Sequence, residues 1–487
     1  MNVADLLEAS ARYHPERPAL IFGERAWTYG ALDEQTAVLA AGLAGLGLEP
    51  GERIGLHLPN SPEFVLAYYA AQKAGLVPLS LNVTYAREEL AYIVSDAAVS
   101  AVVTAPAVAA NLPERAAMPS VRHLLQAGDL AGLGGKPMRA LDRDRDETAA
   151  ILYTSATTGR PKGVMLTHAN IVSNAYATVH HLRMTAEDRG LCALPMFHCF
   201  GQNFIMNALV CAGGLLVLQE RFVPDAFLAA VARHRITLFY GVPTMYILFL
   251  AGGRRPELDS VRLFFSAAAT LPTDVERRWH ELYGRPIHQG YGLTECSPFA
   301  SYNHDVALRP GSVGTPIENV EMRIVDEAGR PLPDGELGEI VIRGPNVMKG
   351  YFGKPEATAE AVRDGWLRSG DIGYRDADGY YYLVDRVKDM INVAGFKVFP
   401  REVEEVLYRH PGVKEAAVVG VADPVRGEAV KAFVVSEPGR PVSADELRLL
   451  CRQALAAYKV PEQVEFIDAL PKNPTGKVLK KELRRRA

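Results

Sequence analysis

The sequence is poor in cysteine and has no long apolar run, and each shortage argues against a class of protein. Its five cysteines include no C-x-x-C pair, which argues against a disulfide framework and a structural zinc site. The longest apolar stretch, LFYGVPTMYILFLAGG, is interrupted by Gly241 and Pro243, so no membrane-spanning helix is predicted. The N-terminal segment MNVADLLEASARYHPERPAL lacks the basic start and apolar core of a signal peptide. We therefore expect a protein of the reducing cytoplasm.

Neither sign of charge is in large excess. The formal net charge is -4, which offers no global field for nucleic acid. Hydrophobic residues make up 48% of the chain and charged residues 23%, a composition typical of a folded globular protein rather than a disordered one. The length of 487 residues exceeds the size at which one core normally divides, so two or more domains are expected.

The N-terminal part alternates helical and strand patterns. YGALDEQTAVLAAGLAGLG has helical spacing, RIGLHLP has the pattern of a strand, and SPEFVLAYYAAQKAGLVPLSLN that of a helix followed by a strand. The alternation continues to ITLFYGVP. It predicts an α/β domain of stacked layers with parallel strands.

The pattern of predicted secondary structure changes twice towards the C-terminus. From about residue 311 to 384, short strands separated by turn signals such as PDG predict a small β-barrel-like or antiparallel subdomain. The last 100 or so residues have the pattern of a compact α+β unit. We therefore predict a large N-terminal domain, 1–385, and a small C-terminal domain, 386–487, with the boundary near Asp385 to Asp389.

A first polar stretch, YTSATTGRPKGVMLTH, follows the apolar run AAILY. Hydroxyls and amides in a glycine-containing turn form an anion nest, and a lysine adds a point charge. The alternative interpretation is an ordinary polar loop between a strand and a helix. The groups able to hold phosphate oxygens are Thr154, Ser155, Thr157, Thr158, Gly159 and Lys162.

A second polar stretch is GYGLTEC. After its glycine-rich turn, Thr294 can meet a phosphate and Glu295 a hard cation, because Mg²⁺ in nucleotide sites takes one or two carboxylates plus substrate oxygens. The alternative for Glu295 is a solvated acid at the start of a helix.

Two further stretches, RSGDIGYRDADGYYYLVDRVKD and LPKNPTGKVLKKELR, contain isolated charged groups. Asp371 can bind two vicinal ribose hydroxyls, and Arg386 can share that task. Lys477 follows a Pro-Thr-Gly turn, which would present it from a tight loop. Its alternative role is that of a solvated surface charge.

In this order and spacing, the four stretches resemble the adenylate-forming superfamily of acyl-CoA synthetases, peptide-synthetase adenylation domains and luciferases. The resemblance covers essentially the whole chain. LPMFHCFG, RPGSVGTPIENVEMRIVD and GPNVMKGYFGKPEATAEAVRDGWLRSGDIG are similar to the fatty-acyl-CoA ligase branch in particular. The resemblance implies an AMP-forming acid–thiol ligase with a mobile C-terminal domain that uses ATP, Mg²⁺ and CoA.

The resemblance also implies a role for each site residue. The first stretch would wrap the β- and γ-phosphates of ATP, while Thr294 would meet the α-phosphate and Glu295 the Mg²⁺. The resemblance places Asp371 and Arg386 at the ribose and makes Lys388 the hinge and Lys477 the catalytic lysine. Phe197 and His198 would form the gate of the acyl pocket, with His198 also counted as catalytic, and Gly395 and Phe396 would line the CoA tunnel. The residues implied around the adenine are Tyr291, Gly290, Gly292, Ser266, Ala267 and Ala268.

The expected chemistry explains why cations are needed. An anionic carboxylate must attack an anionic α-phosphate, so Mg²⁺ on Glu295 and the ammonium of Lys477 have to be present at that moment. In the second half-reaction a CoA thiol must reach the same carbonyl. Rotation of the small domain about Lys388 would then exchange Lys477 for the Gly395 loop.

The sequence departs from the family pattern at two places. Ala156 replaces the glycine of T-S-G-T-T-G, and SAAAT, residues 266–270, replaces S-G-G-A-P; both add methyl groups where the family has bare backbone. Gly290 stands where malonate-type ligases carry an arginine. The candidate pocket residues suit an alkyl or aryl chain, so we expect a medium- or long-chain fatty acid and leave an aryl acid open. The pocket candidates are Phe197, His198, Phe200, Phe204, Tyr240, Val242, Ala267 and Gly290.

Two other functions remain open from the sequence. A stand-alone adenylation enzyme that loads the phosphopantetheine of a carrier protein would share every residue named above. A catalytically silent nucleotide-binding regulator is suggested by Ala156, but Glu295, Asp371 and Lys477 argue against it. The expected partners are a small carboxylic acid, ATP and CoA, and the oligomeric state, including a homodimer, is left open.

Overall fold

The computed structural model describes residues 1–154, 160–251, 257–474 and 476–486. Its helices, in chain order, are α1 (Asp5–Tyr13), α2 (Tyr29–Gly45), α3 (Pro62–Lys73), α4 (Arg87–Asp96), α5 (His168–His181), α6 (Ala208–Ala212), α7 (Pro224–His234), α8 (Pro243–Ala251), α9 (Thr273–Tyr283), α10 (Pro355–Ala361), α11 (Pro400–Leu407), α12 (Ala444–Ala454) and α13 (Lys480–Arg486). Its strands, in chain order, are β1 (Pro18–Phe22), β2 (Arg25–Thr28), β3 (Arg53–His57), β4 (Val77–Ser80), β5 (Ala101–Thr104), β6 (His123–Gln126), β7 (Thr148–Thr154), β8 (Lys162–Thr167), β9 (Arg189–Cys192), β10 (Leu215–Leu218), β11 (Leu238–Gly241), β12 (Leu263–Ser266), β13 (Ile287–Tyr291), β14 (Ser301–Tyr302), β15 (Thr315–Pro316), β16 (Glu321–Val325), β17 (Gly338–Arg343), β18 (Gly350–Tyr351), β19 (Val362–Arg363), β20 (Trp366–Arg375), β21 (Tyr381–Arg386), β22 (Ile391–Val393), β23 (Phe396–Val398), β24 (Val413–Asp423), β25 (Gly427–Ser436) and β26 (Gln463–Phe466).

Two large sheets form the N-terminal part. One has the strand order β18-β8-β7-β4-β3-β5-β6, and the other β15-β14-β13-β12-β11-β9-β10-β1-β2. Their central pairs, such as β3 with β4 and β11 with β12, are parallel. These strands are almost wholly buried, as expected for parallel sheets covered on both faces. The predicted α/β layering is therefore confirmed.

Helix starts follow local sequence signals. The α3 helix begins at Pro62, directly after Ser61, whose hydroxyl accepts a hydrogen bond from the amide of Phe64 at 3.3 Å. Before α5, the hydroxyl of Thr167 accepts the Asn170 amide at 3.1 Å, and the Asn170 side chain accepts the Thr167 amide at 2.8 Å. Such caps typically contribute about 1 kcal/mol each. No helix within the described ranges is both long and apolar enough to cross a membrane.

The first polar stretch lies between two strands. β7 and β8 are antiparallel neighbours with Thr154 opposite Lys162, and α5 begins only after β8. The alternative of a strand-to-helix loop is therefore wrong. With only six residues, KGVMLT, β8 is too short for its period to be recognised. Ser155, Ala156, Thr157, Thr158 and Gly159 lie outside the described residues.

The third sheet is antiparallel, with the order β16-β17-β20-β19 and β21 paired to β20. It corresponds to the predicted β-rich subdomain. Two short strands within 311–384 belong elsewhere, because β15 extends the nine-stranded sheet and β18 pairs with β8. The predicted range was too wide at these points, since strands of two residues have no detectable pattern.

The C-terminal part has its own sheet and core. Strands β23-β22-β25-β24, with β26 on β25, form its sheet, and apolar side chains from α11 and α12, among them Val403 and Leu447, pack against that sheet. This is the expected α+β arrangement. A single turn, Val387–Asp389, connects β21 to it, and the exact domain boundary stays a prediction.

Candidate active site

Several of the predicted site residues lie at one edge of the nine-stranded sheet. The parallel neighbours β11, β12 and β13 end there with Gly241, Ser266 and Tyr291. The carboxyl ends of parallel strands are where open α/β sheets bind ligands. The seven-stranded sheet, the third sheet and the C-terminal part contribute the other side chains described below.

Tyr351 connects the phosphate-side lysine to the predicted metal ligand. The Lys162 Nζ lies 4.8 Å from the centre of the Tyr351 ring, a cation–π distance. The Tyr351 hydroxyl donates a hydrogen bond to Glu295 Oε1 at 3.0 Å. Sequence reasoning did not single out Tyr351, although it lies in MKGYFG, within a segment that carries the family resemblance.

The Glu295 carboxylate is half-buried on a single 3-10 turn, Thr294–Cys296. Burial raises the pKa of Glu295, and the hydrogen bond from Tyr351 opposes that effect. The alternative of a solvated acid at a helix start is therefore wrong. The preceding Gly292 is required by close packing, because a Cβ there would lie 1.6 Å from the carbonyl oxygen of Pro298.

The Glu295 carboxylate fits the Mg²⁺ of a nucleotide site. Such an ion takes one or two carboxylates and completes its shell with water and substrate phosphate oxygens. Across the described ranges, no group of three or more His, Cys, Asp or Glu side chains could hold a metal by itself. An ion at Glu295 would thus depend on the nucleotide for its other ligands.

Asp371 is the centre of a hydrogen-bonded group on β20. The Tyr291 hydroxyl donates to its Oδ2 at 2.7 Å, and Arg386 Nε lies 3.2 Å from its Oδ1. Asp371 and Arg386 face each other across the β20–β21 pair. Tyr291, which the sequence assigns to the adenine, is thereby tied to the predicted ribose ligand, and each carboxylate oxygen retains acceptor capacity for a ribose hydroxyl.

The end of β12 provides the predicted adenine floor. Ser266 is buried, and its hydroxyl has no hydrogen-bond partner among the described residues. The amide of Ala267 donates to the Gly241 carbonyl at 3.4 Å. Ala268 adopts φ +68°, a left-handed conformation that an alanine takes at a cost of about 1 to 2 kcal/mol. The family glycine missing at this position would carry no such cost.

We expect Ala268→Gly to raise the free energy of unfolding by up to about 1 kcal/mol, because relief of the left-handed strain exceeds the entropy cost of a glycine, about 0.5 to 1 kcal/mol. Urea unfolding measures the change. Ala267→Gly is the matched control, since Ala267 has no positive φ and should lose stability. A loss of stability in both variants would contradict the strain at Ala268.

Lys477 enters the site from the small domain on a tight turn. Its amide donates to Asn473 Oδ1 at 2.8 Å, and its carbonyl accepts the Asn473 amide at 2.9 Å. The Thr244 hydroxyl donates to the Gly476 carbonyl at 3.3 Å, and Val242 Cγ2 lies 3.1 Å from the position of a Cβ at Gly476. The turn is therefore seated on the segment that follows β11, and Lys477 is not a freely solvated surface charge. Thr475 lies outside the described residues.

Burial and neighbouring cations disfavour the charged form of Lys477. Burial and then Arg386 lower its pKa to about 8, while Asp371 acts in the opposite direction. Burial lowers the pKa of His198 to about 4, and Lys477 adds to that effect. The His198 Nδ1 accepts the amide of Phe200 at 3.2 Å. At neutral pH the site thus holds a neutral imidazole beside an ammonium group.

The depressed pKa of Lys477 predicts a pH dependence of the first half-reaction. The catalytic role that the family resemblance implies for Lys477 requires its protonated form, and Lys477 loses its proton as the pH rises through about 8. We expect kcat/KM for pyrophosphate release, which reports the free enzyme, to fall above about pH 8. Thioester formation from a supplied acyl-adenylate should not fall over this range. A parallel decline of both half-reactions would contradict the assignment.

Aromatic rings fill the predicted acyl pocket. Phe200 and Phe204 lie on a π-helical segment, Phe200–Asn207, and are buried. Phe204 stacks on Phe265 with centroids 4.6 Å apart and meets Phe299 edge-on at 5.0 Å. Tyr240 lies 6.0 Å from Phe204. Phe265 and Phe299 thus contact a predicted pocket residue, and sequence reasoning missed both, although each lies in an aromatic-containing segment beside predicted site residues.

Gly290 leaves room for those rings. A Cβ at Gly290 would lie 2.4 Å from Phe265 Cζ and 3.2 Å from Phe299 Cε2. A side chain at this position, such as the arginine of malonate-type ligases, would therefore require the Phe265 ring to shift.

Two predicted residues, Gly395 and Phe396, lie apart from this group, whereas Lys388 is close enough to Lys477 and Asp371 to interact with them electrostatically. Gly395 and Phe396 belong to a hairpin on the small domain, where Phe396 is 57% exposed and stacks on Tyr458 at 4.8 Å. Their neighbour Lys397 lies 3.6 Å from Glu327, in the turn that follows β16. Lys388 is exposed in the connecting turn. With the small domain oriented so that Lys477 faces the site, the structure does not bring Gly395 and Phe396 to it.

Two family models match the chain. The model of the AMP-binding enzyme matches residues 7–352, and that of the AMP-binding enzyme C-terminal domain matches residues 402–477. The chain therefore belongs to the AMP-binding enzyme family, and the predicted membership in the adenylate-forming superfamily is confirmed.

Similar proteins define the reaction class. A feruloyl-CoA synthase from an Amycolatopsis species is 40% identical over 480 residues, which cover 98% of this chain and 97% of the relative. A long-chain-fatty-acid–CoA ligase from Bacillus subtilis is 35% identical over 529 residues, covering 99% and 94%. The crystal structure of an anthranilate CoA ligase in complex with anthranoyl-AMP matches with a TM-score of 0.95 at 30% identity, covering 100% and 97%. The chain is an AMP-forming acid–thiol ligase, an ATP-dependent acyl-CoA synthetase.

Proposed function

We propose that this acyl-CoA synthetase activates an aromatic carboxylic acid. The observation that carries the proposal is the aromatic character of the predicted pocket residues and their neighbours, where Phe204 contacts both Phe265 and Phe299 beside Gly290. These rings are buried against one another, so any acyl group would have to move at least one of them. A flat ring gains offset or edge-on contacts with them. The names of the feruloyl-CoA synthase and of the anthranilate CoA ligase support the same substrate class.

The nucleotide is proposed to bind along the edge described above. Thr154 and Lys162 would hold the β- and γ-phosphates, with Ser155, Thr157, Thr158 and Gly159 contributing from the turn. Asp371 and Arg386 would hold the ribose. The adenine would lie near Tyr291, between Gly290, Gly292 and the backbone of Ser266, Ala267 and Ala268.

Adenylation is proposed to depend on two cations. Mg²⁺ on Glu295 would neutralise the α-phosphate beside Thr294, and Lys477 would bridge that phosphate and the attacking carboxylate. His198, neutral beside Lys477, would border the carboxylate without adding charge, and Phe197 would stand at the pocket entrance. Pyrophosphate leaves, and the acyl group remains on AMP.

Thioester formation is proposed to require the other face of the small domain. Rotation about Lys388, at the boundary between 1–385 and 386–487, would withdraw Lys477 and bring the Gly395–Phe396 hairpin to the site. The exposure of Phe396 supports this role, because the ring is available for burial against another surface. The acceptor is CoA, with a carrier-protein phosphopantetheine as the alternative.

A second candidate substrate is a medium- or long-chain fatty acid. The apolar character of Phe200, Phe204 and Val242 and the similarity to a long-chain-fatty-acid–CoA ligase favour it. Each buried methylene would contribute up to about 0.8 kcal/mol, so efficiency would climb with chain length.

A panel of acids separates these candidates. Pyrophosphate release is measured with cinnamic, 4-hydroxycinnamic, benzoic, decanoic, palmitic, malonic and acetic acids, each with and without CoA. We expect the highest kcat/KM with an aromatic acid and the lowest with malonate and acetate. An efficiency that rises steadily from decanoate to palmitate above every aromatic acid would replace the aromatic proposal by the fatty-acid one. Absence of pyrophosphate with all acids would support a silent regulator instead.

A further inference from the structure

Tyr240 places a polar group at the deep end of the predicted acyl pocket. Its side chain is fully buried, and its hydroxyl has no hydrogen-bond partner among the described residues. The surrounding rings, Phe204 at 6.0 Å and Phe265 at 6.3 Å between centroids, cannot accept a conventional hydrogen bond. A buried hydroxyl without a partner destabilises a protein, so its presence here calls for a partner that the folded chain does not supply.

The nearest charged groups are already engaged. Asp188 and Arg262 lie close enough to interact electrostatically with Tyr240. The Asp188 carboxylate, however, accepts two hydrogen bonds from Arg262, at 2.7 and 2.9 Å, one from the Thr237 hydroxyl at 2.7 Å and one from the Thr185 amide at 2.8 Å. Asp188 therefore has no acceptor position left for the Tyr240 hydroxyl, which has no partner among the described residues.

The level of the Tyr240 ring along β11 indicates how long a ligand would have to be to reach it from the Lys477 turn. Tyr240 Cε2 lies 3.1 Å from where a Cβ of Gly190 would be, and Gly190 is opposite Leu238, near the start of β11. The Lys477 turn is seated at the other end, beyond Gly241. Leu238 and Gly241 are three residues apart on β11, which corresponds to about 10 Å along the strand. That span suits an acid whose ring is joined to the carboxylate by a short spacer.

We propose that Tyr240 is a specificity-determining residue whose hydroxyl binds a polar substituent on the far end of an aromatic acid, such as a ring hydroxyl. The proposal rests on the aromatic-acid function proposed above. A phenolic hydroxyl both donates and accepts, so it can pair with a hydroxyl or an ether oxygen on the substrate. A site built to hydrogen-bond a substrate hydroxyl discriminates strongly against the analogue that lacks it.

The test compares 4-hydroxycinnamic and cinnamic acids, which differ only in the ring hydroxyl. Pyrophosphate release gives kcat/KM for each acid with the native enzyme and with Tyr240→Phe. We expect the native enzyme to prefer the hydroxylated acid by about tenfold or more, and Tyr240→Phe to remove most of that preference. An unchanged ratio in Tyr240→Phe would overturn the proposal.

Tyr246→Phe is the matched control. Tyr246 is also fully buried, but its hydroxyl donates to the Phe265 carbonyl at 2.8 Å. Tyr246→Phe should lower the Tm and keep the ratio, whereas Tyr240→Phe should change the ratio and keep the Tm measured without substrate. A fall in Tm of equal size in both variants would assign Tyr240 a structural partner, such as a buried water, and overturn the proposal.

The panel of acids separates failure of this inference from failure of the proposed function. Activation of both cinnamic acids with a ratio that ignores Tyr240→Phe would refute only the role of Tyr240. Activation of fatty acids with no turnover of either cinnamic acid would refute the aromatic function, and the role of Tyr240 with it.

Discussion

Lys477→Ala should abolish acyl-adenylate formation and spare thioester formation from a supplied acyl-adenylate. Two unit charges 4 Å apart repel by about 4 kcal/mol at an effective dielectric of about 20, and Lys477 is the cation that we place between carboxylate and phosphate. At 1.36 kcal/mol for each factor of ten, removing this compensation corresponds to a loss of roughly a thousandfold. Pyrophosphate release and CoA-dependent consumption of synthetic acyl-adenylate measure the two half-reactions separately.

Lys481→Ala is the matched control for Lys477→Ala. Lys481 is an exposed lysine of the same basic tail, and its loss should change neither half-reaction appreciably. Equal losses of both half-reactions in Lys477→Ala would contradict the proposal that the small domain rotates between the half-reactions and exchanges Lys477 for the Gly395–Phe396 hairpin.

Glu295→Gln should lower pyrophosphate release by roughly a hundredfold or more. A metal ion on a phosphoryl oxygen contributes several kcal/mol of charge stabilisation, and each 1.36 kcal/mol is a factor of ten. The amide keeps the shape of Glu295 and can still accept the hydrogen bond from Tyr351, so the variant chiefly removes the negative charge that would attract the ion. Calorimetric titration with ATP, with and without Mg²⁺, provides a readout independent of turnover.

Glu276→Gln controls for loss of a buried carboxylate outside the site. Glu276 is buried and accepts the Gly311 amide at 3.1 Å, and its replacement should leave the effect of Mg²⁺ on ATP binding in place. In Glu295→Gln, Mg²⁺ should no longer strengthen ATP binding. Native Mg²⁺ dependence in that variant would contradict the role of Glu295.

The layers of the fold could be predicted because they follow from the hydrophobic periodicity of the sequence. Parallel strands such as β3 and β11 are short apolar runs between helical patterns, and that alternation predicts layered sheets. β8 and the strands β15 and β18 could not be found this way. They are short, and they exist because a neighbouring strand offers hydrogen bonds, which is a property of the fold and not of their own residues.

The site was predictable to a similar degree. Asp371, Glu295 and Lys477 stand in recognisable stretches, and their family roles could be carried over by position. The hydrogen bond from Tyr351 to Glu295 joins residues 56 positions apart, so no local pattern contains it. The unpartnered hydroxyl of Tyr240 depends in the same way on how Arg262, Thr237 and the Thr185 amide satisfy Asp188. The distance of Gly395 from the site depends on the orientation of a whole domain.

The central claim is that the carboxylate attacks the α-phosphate and that pyrophosphate, not the γ-phosphate, is the leaving group. The most direct measurement uses a carboxylic acid labelled with ¹⁸O in its carboxylate, incubated with ATP and CoA and followed by mass spectrometry of the products. Because the attacking oxygen stays on the α-phosphorus when the thioester forms, the account predicts that AMP gains one labelled oxygen and pyrophosphate none. Label in inorganic phosphate, with ADP as the other product, would contradict it.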